Sequence, residues 1–252
     1  MGPHAALGPV VRDVRGGDLP DLGEPARDLR RPAFQPHVLD HDPRWLDACY
    51  RLRYRVYCHE KQFLRPEDYP DGREIDEFDA LSVHVGAIDA DGELGGTARV
   101  VLPNPLGFPV QKHCAFSPDV PLDAPGMLTV ECSRIMISRD YARRGRTEPF
   151  LTIVKGVMQQ AKLAGATHLV GATEPGFFRL IVLHGMPWRV AGPAVDYFGA
   201  PVLPCIMSLT ELDEAILSGR HRSLERFPVG WDPSRWLDYH PPVSLTLMDT
   251  PA

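Results

Sequence analysis

Behind Asp42-Pro43, apolar side chains return at helical spacing at Trp45, Cys49, Leu52 and Val56, with Asp42 as N-cap and Pro43 at the first helical position. This spacing predicts a helix reaching about Phe63. An acid-rich stretch with Pro66, Pro70 and Gly72 then breaks the period and reads as a loop. Two runs at 82–89 and 94–102, joined by Asp91-Gly92, read as a β-hairpin. Prolines 103, 105, 109, 118, 121 and 125 mark a long irregular segment, of the kind that serves as a lid or binding loop. Leu128 to Ile137 is extended and mostly apolar, which fits a central, buried strand. Beyond the basic turn Arg143-Arg144-Gly145-Arg146, Phe150, Val154, Val157, Ala161 and Ala164 form the apolar face of a helix. A strand at 167–172, a helix at 175–184 stopped by Gly185, and two strands flanking Gly199 complete the pattern. The order α, ββ, β, α, β, α, ββ predicts an α/β fold with a mixed central sheet flanked by helices.

Outside this pattern, residues 1–33 mix Gly, Pro, Arg and Asp with no apolar period and read as a flexible tail. Residues 220–252 read as a C-terminal extension whose Trp231, Trp236 and Tyr239 could pack onto the body. One folded domain over 34–219 suits a chain of 252 residues. No apolar run approaches the ~20 residues of a membrane span, and the N-terminus lacks a basic segment followed by an apolar one, so a cytoplasmic protein is expected. Five widely spaced cysteines without a CxxC pair suit reduced thiols, and ten histidines show no metal-ligand spacing. The net charge of −6 argues against a nucleic-acid binder. That charge is polarised: residues 65–79 hold seven acids against two arginines, and residues 139–162 hold six bases against two acids.

The candidate chemistry lies where charge enters apolar segments. Arg53 and Tyr57 share one helix face, Phe63 follows, Asp76 and Asp79 precede the hairpin, and Arg99 closes it. Glu131, Ser133 and Arg134 sit inside the strand that should be buried. Burying several charges is costly unless they are paired or used. These residues form either a purely structural network or one buried constellation that also presents charge to a ligand.

The series Arg53-x3-Tyr57, Phe63, Asp76-x2-Asp79, Gly96-x2-Arg99, Phe116 and Glu131-x2-Arg134 resembles the acyl-homoserine-lactone synthases and their relatives, the N-acyl amino acid synthases. The stretches Arg53-Tyr-Arg-Val-Tyr57, Leu64 to Gly72 and Val110 to Cys114 look like the acyltransferases associated with PEP-CTERM/exosortase systems. The resemblance covers about residues 40–210. It implies a GNAT-like fold that takes a fatty acyl group from acyl carrier protein and places it on a small amine, with no bound cofactor. Phe63 stands where the lactone synthases usually have tryptophan, and the acidic loop is longer. These departures favour an amino acid over S-adenosylmethionine as acceptor. Two rival readings remain: a lactone synthase, and a non-catalytic acyl-carrier or lipid-binding protein.

Within that resemblance, Glu131 and Ser133 are expected to be catalytic, with Glu131 as the base that deprotonates the amine. Arg53, Tyr57, Phe63, Asp76, Asp79, Arg99 and Arg134 are expected to hold the acceptor, arginine being suited to grip a carboxylate. Strict alternation would put Glu131 and Arg134 on opposite faces, so a β-bulge is expected between them, with backbone N–H groups there to receive the oxyanion. Val130, Ile135, Met136, Phe150 and Val154 are candidates for the acyl slot, where each buried CH₂ contributes about 0.8 kcal/mol. The turn Arg143, Arg144, Gly145 and Arg146 is a degraded form of the Gly-rich GNAT turn and is expected to meet the pantetheine phosphate and the acidic carrier protein. Cys132 as a nucleophile is a minor alternative. The amphiphilic product leaves peripheral membrane contact conceivable.

Overall fold

A computed structural model describes residues 34–143, 148–197, 200–221 and 223–224. The expected 1–33 tail, Arg144 to Arg146, Gly199, and Trp231, Trp236 and Tyr239 lie outside the described residues. The described residues open with β1 (Phe34–Val38) and α1 (Pro43–Tyr54), then the hairpin β2 (Ser82–Asp89) and β3 (Leu94–Val101). Next come α2 (Pro109–His113), β4 (Thr129–Ile137), α3 (Arg139–Ala142) and α4 (Glu148–Leu163). It continues through β5 (His168–Thr173), α5 (Pro175–Leu183), β6 (Arg189–Val190), β7 (Val195–Tyr197), β8 (Ala200–Ser208) and α6 (Leu209–Leu217). Asp42 caps α1 as its sequence suggests, accepting from the Arg44 N–H at 2.9 Å.

The α/β expectation holds. One sheet runs in the order β1-β2-β3-β4-β5-β8-β6, with β7 paired to β8, and it is mostly antiparallel. Among the described residues β4 and β5 form the one parallel pair, and they pair over only Thr129↔His168, Val130↔Leu169 and Glu131↔Val170. Beyond Glu131 the two strands part. Gly171 marks the parting, since a Cβ there would stand 2.8 Å from the Cys132 carbonyl oxygen.

Both faces of the sheet are covered. One core gathers Val85, Ala98, Val100, Val130, Leu169 and Met207 under Ile153, Val154 and Val157 of α4 and Leu212 of α6. The opposite face is divided. Leu39, Cys49 and Ile88 pack beneath α1, and Phe78, Val101, Phe108, Val110, Val170 and Ile206 pack beneath α2 and the proline-rich segment. The charged cluster lies between these two apolar patches.

Several expected boundaries shift. The first helix leaves α geometry at Tyr54 and continues as a π-helical turn over Arg55–Glu60, a widening that often marks a functional segment. Strand β1 escapes the pattern because Pro36 and His37 interrupt it, yet it is an edge strand, where proline is tolerated. Helix α2 forms inside the proline-rich stretch, with Pro109 at its first position, and α6 adds a helix at the end of the core.

Candidate active site

The central strand contains the expected bulge. Thr97 pairs with Met136 and Arg99 with Ser133, so Ala98 faces both Arg134 and Ile135 across the ladder. Arg134 takes φ +55°, a left-handed conformation that a branched or long side chain adopts only when its surroundings hold it there. The extra residue turns the Arg134 side chain toward the loop that precedes β2. Glu131, Ser133 and Arg134 thus face the same side of the sheet.

Three guanidinium groups and three carboxylates interlock there. Arg53 of α1 donates to Glu74 at 2.5 Å and to both oxygens of Asp79 at 2.6 and 3.0 Å. Arg99 of β3 donates through Nη1 to Asp76 at 2.5 Å and to Asp79 at 2.9 Å, and through Nε to Ser133 Oγ at 3.3 Å. Arg134 donates to Glu74 and Asp76, both at 2.9 Å, with its guanidinium 5.2 Å above the Tyr57 ring. Arg53, Glu74 and Arg99 are fully buried and Asp79 nearly so. Burial alone would raise the Asp79 carboxyl, but hydrogen bonds from His84 and Arg53 and the charges of Arg53 and Arg99 hold it far below the usual carboxylate range. The Asp79 carboxylate also caps its own loop, accepting from the Asp76 N–H at 2.7 Å. Removing one partner of such a buried pair costs about 3–5 kcal/mol, so the network is structural as well as chemical.

One atom of the network is left over. Arg99 Nη2 is buried and has no hydrogen-bond partner among the described residues. A buried donor of this kind is costly to leave unmet, and a carboxylate oxygen would meet it.

Glu131 stands apart from the ion pairs. Its Oε2 accepts from the Val110 N–H at 2.8 Å. Burial raises this carboxyl to about 7 against the lowering effects of Val110, Arg99 and Arg134. A carboxyl titrating there is matched to accepting a proton near neutral pH. Cys132, by contrast, is pushed up to about 12 by burial and the adjacent Glu131, which weighs against a thiolate nucleophile.

The remaining expected residues divide. Tyr57 and Phe63 lie together, ring centroids 6.0 Å apart, at the edge of the cluster. Val130 and Val154 share the core beneath α4, and Phe150 packs against it in an edge contact with Phe177 at 5.5 Å. Two acyl-slot candidates do not join them. Met136 pairs with Thr97, whose hydroxyl meets Cys49 of α1, so it points to the opposite face, and Ile135 is 38% exposed at the bulge. The bulge at Arg134 and Ile135 is what sends Met136 to the face opposite Val130. Arg143 is exposed at the end of α3. A surface cleft of about 390 Å³ opens over the proline-rich segment, lined by Phe108, Phe116, Val120 and Leu122 among others.

Sequence reasoning missed Glu74, His84 and Tyr197. Glu74 bridges Arg53 and Arg134, and its two-residue spacing from Asp76 was the available signal. Tyr197 of β7 stacks on His113 of α2 at 4.1 Å, and burial raises its hydroxyl to about 12, with the charges of Arg134, Tyr57, Asp76 and Glu131 also acting on it. Nothing local in the sequence announces that meeting, which depends on β7 folding back over α2.

A mostly antiparallel sheet whose one parallel pair opens beside a buried carboxylate defines a GNAT-like fold. Residues 52–152 match the acetyltransferase (GNAT) domain, a span that holds β2, β3, β4 and the whole charged cluster. No curated protein matches the chain in sequence. Among solved structures, TofI in a ternary complex with an inhibitor and MTA is 24% identical, covering 71% of this chain and 96% of its own at a TM-score of 0.55. The CoA-dependent acyl-homoserine lactone synthase BjaI with MTA is 18% identical over 78% of this chain and 99% of its own, TM-score 0.54. FeeM, an N-acyl amino acid synthase from uncultured soil microbes, is 16% identical over 75% and 98%, TM-score 0.55. At these identities the likeness is one of fold. No helix among the described residues is long and apolar enough to cross a membrane.

Proposed function

We propose that this protein is an N-acyltransferase that moves a fatty acyl group from the thioester of acyl carrier protein to the amine of an amino acid. The GNAT domain and the fold shared with lactone and N-acyl amino acid synthases support acyl transfer as the chemistry. The observation that carries the reading is a buried carboxyl raised to about 7 at Glu131 on the same sheet face as an unmet guanidinium nitrogen at Arg99. An amino acid has a partner for each. Its carboxylate would meet Arg99 Nη2, and its ammonium would lose a proton to Glu131, directly or through water.

The free amine then attacks the thioester carbon, which forms the new C–N bond. The tetrahedral oxyanion is received by backbone N–H groups at the interrupted ladder around Arg134, and collapse expels the pantetheine thiol. The donor enters where β4 and β5 part. An acidic carrier protein suits the exposed Arg139 and Arg143 beyond that opening. The structural likeness to a CoA-dependent synthase keeps acyl-CoA as the donor to test alongside.

The deciding experiment incubates the pure protein with acyl carrier protein or coenzyme A carrying a long acyl chain, together with pooled amino acids or S-adenosylmethionine, and reads products by mass. An N-acyl amino acid formed from the carrier thioester is the expected result. A lactone would move the assignment to a homoserine-lactone synthase, and no product with any acceptor would overturn the proposal.

A further inference from the structure

His84 lies in β2 directly across from Arg99 and is 1% exposed, yet the acyl-transfer steps above do not use it. Its Nδ1 is 2.7 Å from Asp40 Oδ1, in the turn after β1, and its Nε2 is 3.0 Å from Asp79 Oδ1. Both ring nitrogens face carboxylates, and a carboxylate only accepts. A neutral imidazole has one donor and one acceptor, so it would leave a lone pair against an anion, whereas an imidazolium satisfies both contacts.

The charge balance agrees. Asp40, Glu74, Asp76 and Asp79 supply four negative charges to this connected cluster, and Arg53, Arg99 and Arg134 supply three positive ones. A protonated His84 is the fourth cation. The groups that face it are Asp40 from the turn, Asp79 from the loop, Arg99 from β3, and Tyr50 and Arg53 from α1, with the Tyr50 ring edge-on at 5.5 Å.

We infer that His84 is a buried imidazolium that acts as a positioning residue: by bonding Asp79 from behind, it keeps Arg99 Nη2 free for the acceptor carboxylate. Asp79 Oδ1 accepts from three donors, Arg53, Arg99 and His84. When His84 loses its Nε2 proton and keeps the one on Nδ1 toward the nearer Asp40, the Asp79 carboxylate loses one of them and turns toward the nearest unmet donor, Arg99 Nη2. The acceptor then competes with Asp79 for that nitrogen. Burial lowers the His84 pKa, but bonds to Asp40 and Asp79 outweigh it and raise the value above that of ordinary imidazole. The cationic form is therefore held to higher pH than in a free imidazole and is lost as pH rises through the raised value. This inference rests on the proposed acyl transfer for its kinetic arm only.

The test has two parts on the full-length protein. Nitrogen-15 NMR of the imidazoles, with His84 assigned through loss of its signal in His84→Gln, should show both ring nitrogens protonated at pH 7.5. The KM for the amino acid acceptor should rise about tenfold across the pH at which that signal titrates, while kcat moves little. Asp40→Asn removes a charge that holds the proton, so it should shift both the NMR midpoint and the KM rise to lower pH together. In His84→Gln the KM should already be high and lose this pH dependence. A neutral His84 ring at pH 7.5, or a KM profile that ignores Asp40→Asn, overturns the inference. If no acyl transfer exists, the function proposed above fails, and the NMR arm still decides the charge on His84.

Discussion

Glu131 is held buried in a state that costs stability at neutral pH and suits the proton transfer proposed for it. Its folded pKa of about 7 lies above the unfolded carboxylate value, so the group's contribution to stability is fully present only below the ordinary carboxylate range. That contribution disappears as pH rises toward 7. Glu131→Gln keeps an acceptor for the Val110 N–H and removes the ionisation. Relative to the parent, it should be more stable at pH 8 by up to about 3 kcal/mol and no more stable at pH 4, as read by thermal melting at both pH values. Acyl transfer should fall roughly 10²–10⁴-fold while carrier-protein binding survives. Retained biological activity in this variant would instead favour a binding protein. The parent rate at limiting acceptor should climb with pH through about 7, as Glu131 gains its charge. The importance of Glu131 was legible in the sequence, because a carboxylate inside an apolar strand needs a reason. Its partners were not: the Val110 N–H comes from a helix hidden among prolines, and His84 lay in a strand where one buried histidine carries no signal of its own.

Among the elements, β4 does most to organise the molecule. Its mostly apolar run predicted a buried strand, the alternation of Glu131 and Arg134 predicted the need for a bulge, and the bulge is present at Arg134. Just beyond it the alternation fails, which leaves Ile135 exposed and turns Met136 to the face of α1, away from Val130 and Val154. The first helix was legible up to Tyr54, but its π-helical continuation was not, since apolar period alone does not register one inserted residue. On the other flank of β4, Gly171 lets β5 approach the Cys132 carbonyl where the two strands begin to part. Gly171→Ala puts a methyl against backbone that cannot swing aside. It should lower stability by about 1–3 kcal/mol in urea titration and weaken acyl-donor binding more than acceptor binding. An unchanged donor KM would separate the parting of the strands from donor entry.

Across the whole molecule, the polarity seen in the sequence is only partly a surface property. Glu74, Asp76 and Asp79 leave the acidic run to enter the interior, and Lys162 of the basic run pairs with Asp213. Arg139 and Arg143 remain exposed. Reversing both to glutamate should raise the KM for acyl carrier protein about tenfold and flatten its salt dependence, with kcat little changed, measured at two ionic strengths. The buried charges have a different consequence, for how the chain finds its fold. Arg134 and Glu74 are 60 residues apart, and Arg99 and Ser133 are 34 apart, so their bonds report on long-range pairing rather than local structure. If β4 slipped by one residue against β3, Glu131 and Ser133 would turn into the apolar layer beneath α4 and the arginines would lose their partners. A misregistered chain would thus carry the heaviest electrostatic penalty at the place proposed for the acceptor, and the charged cluster acts as a check on the strand pairing that builds it.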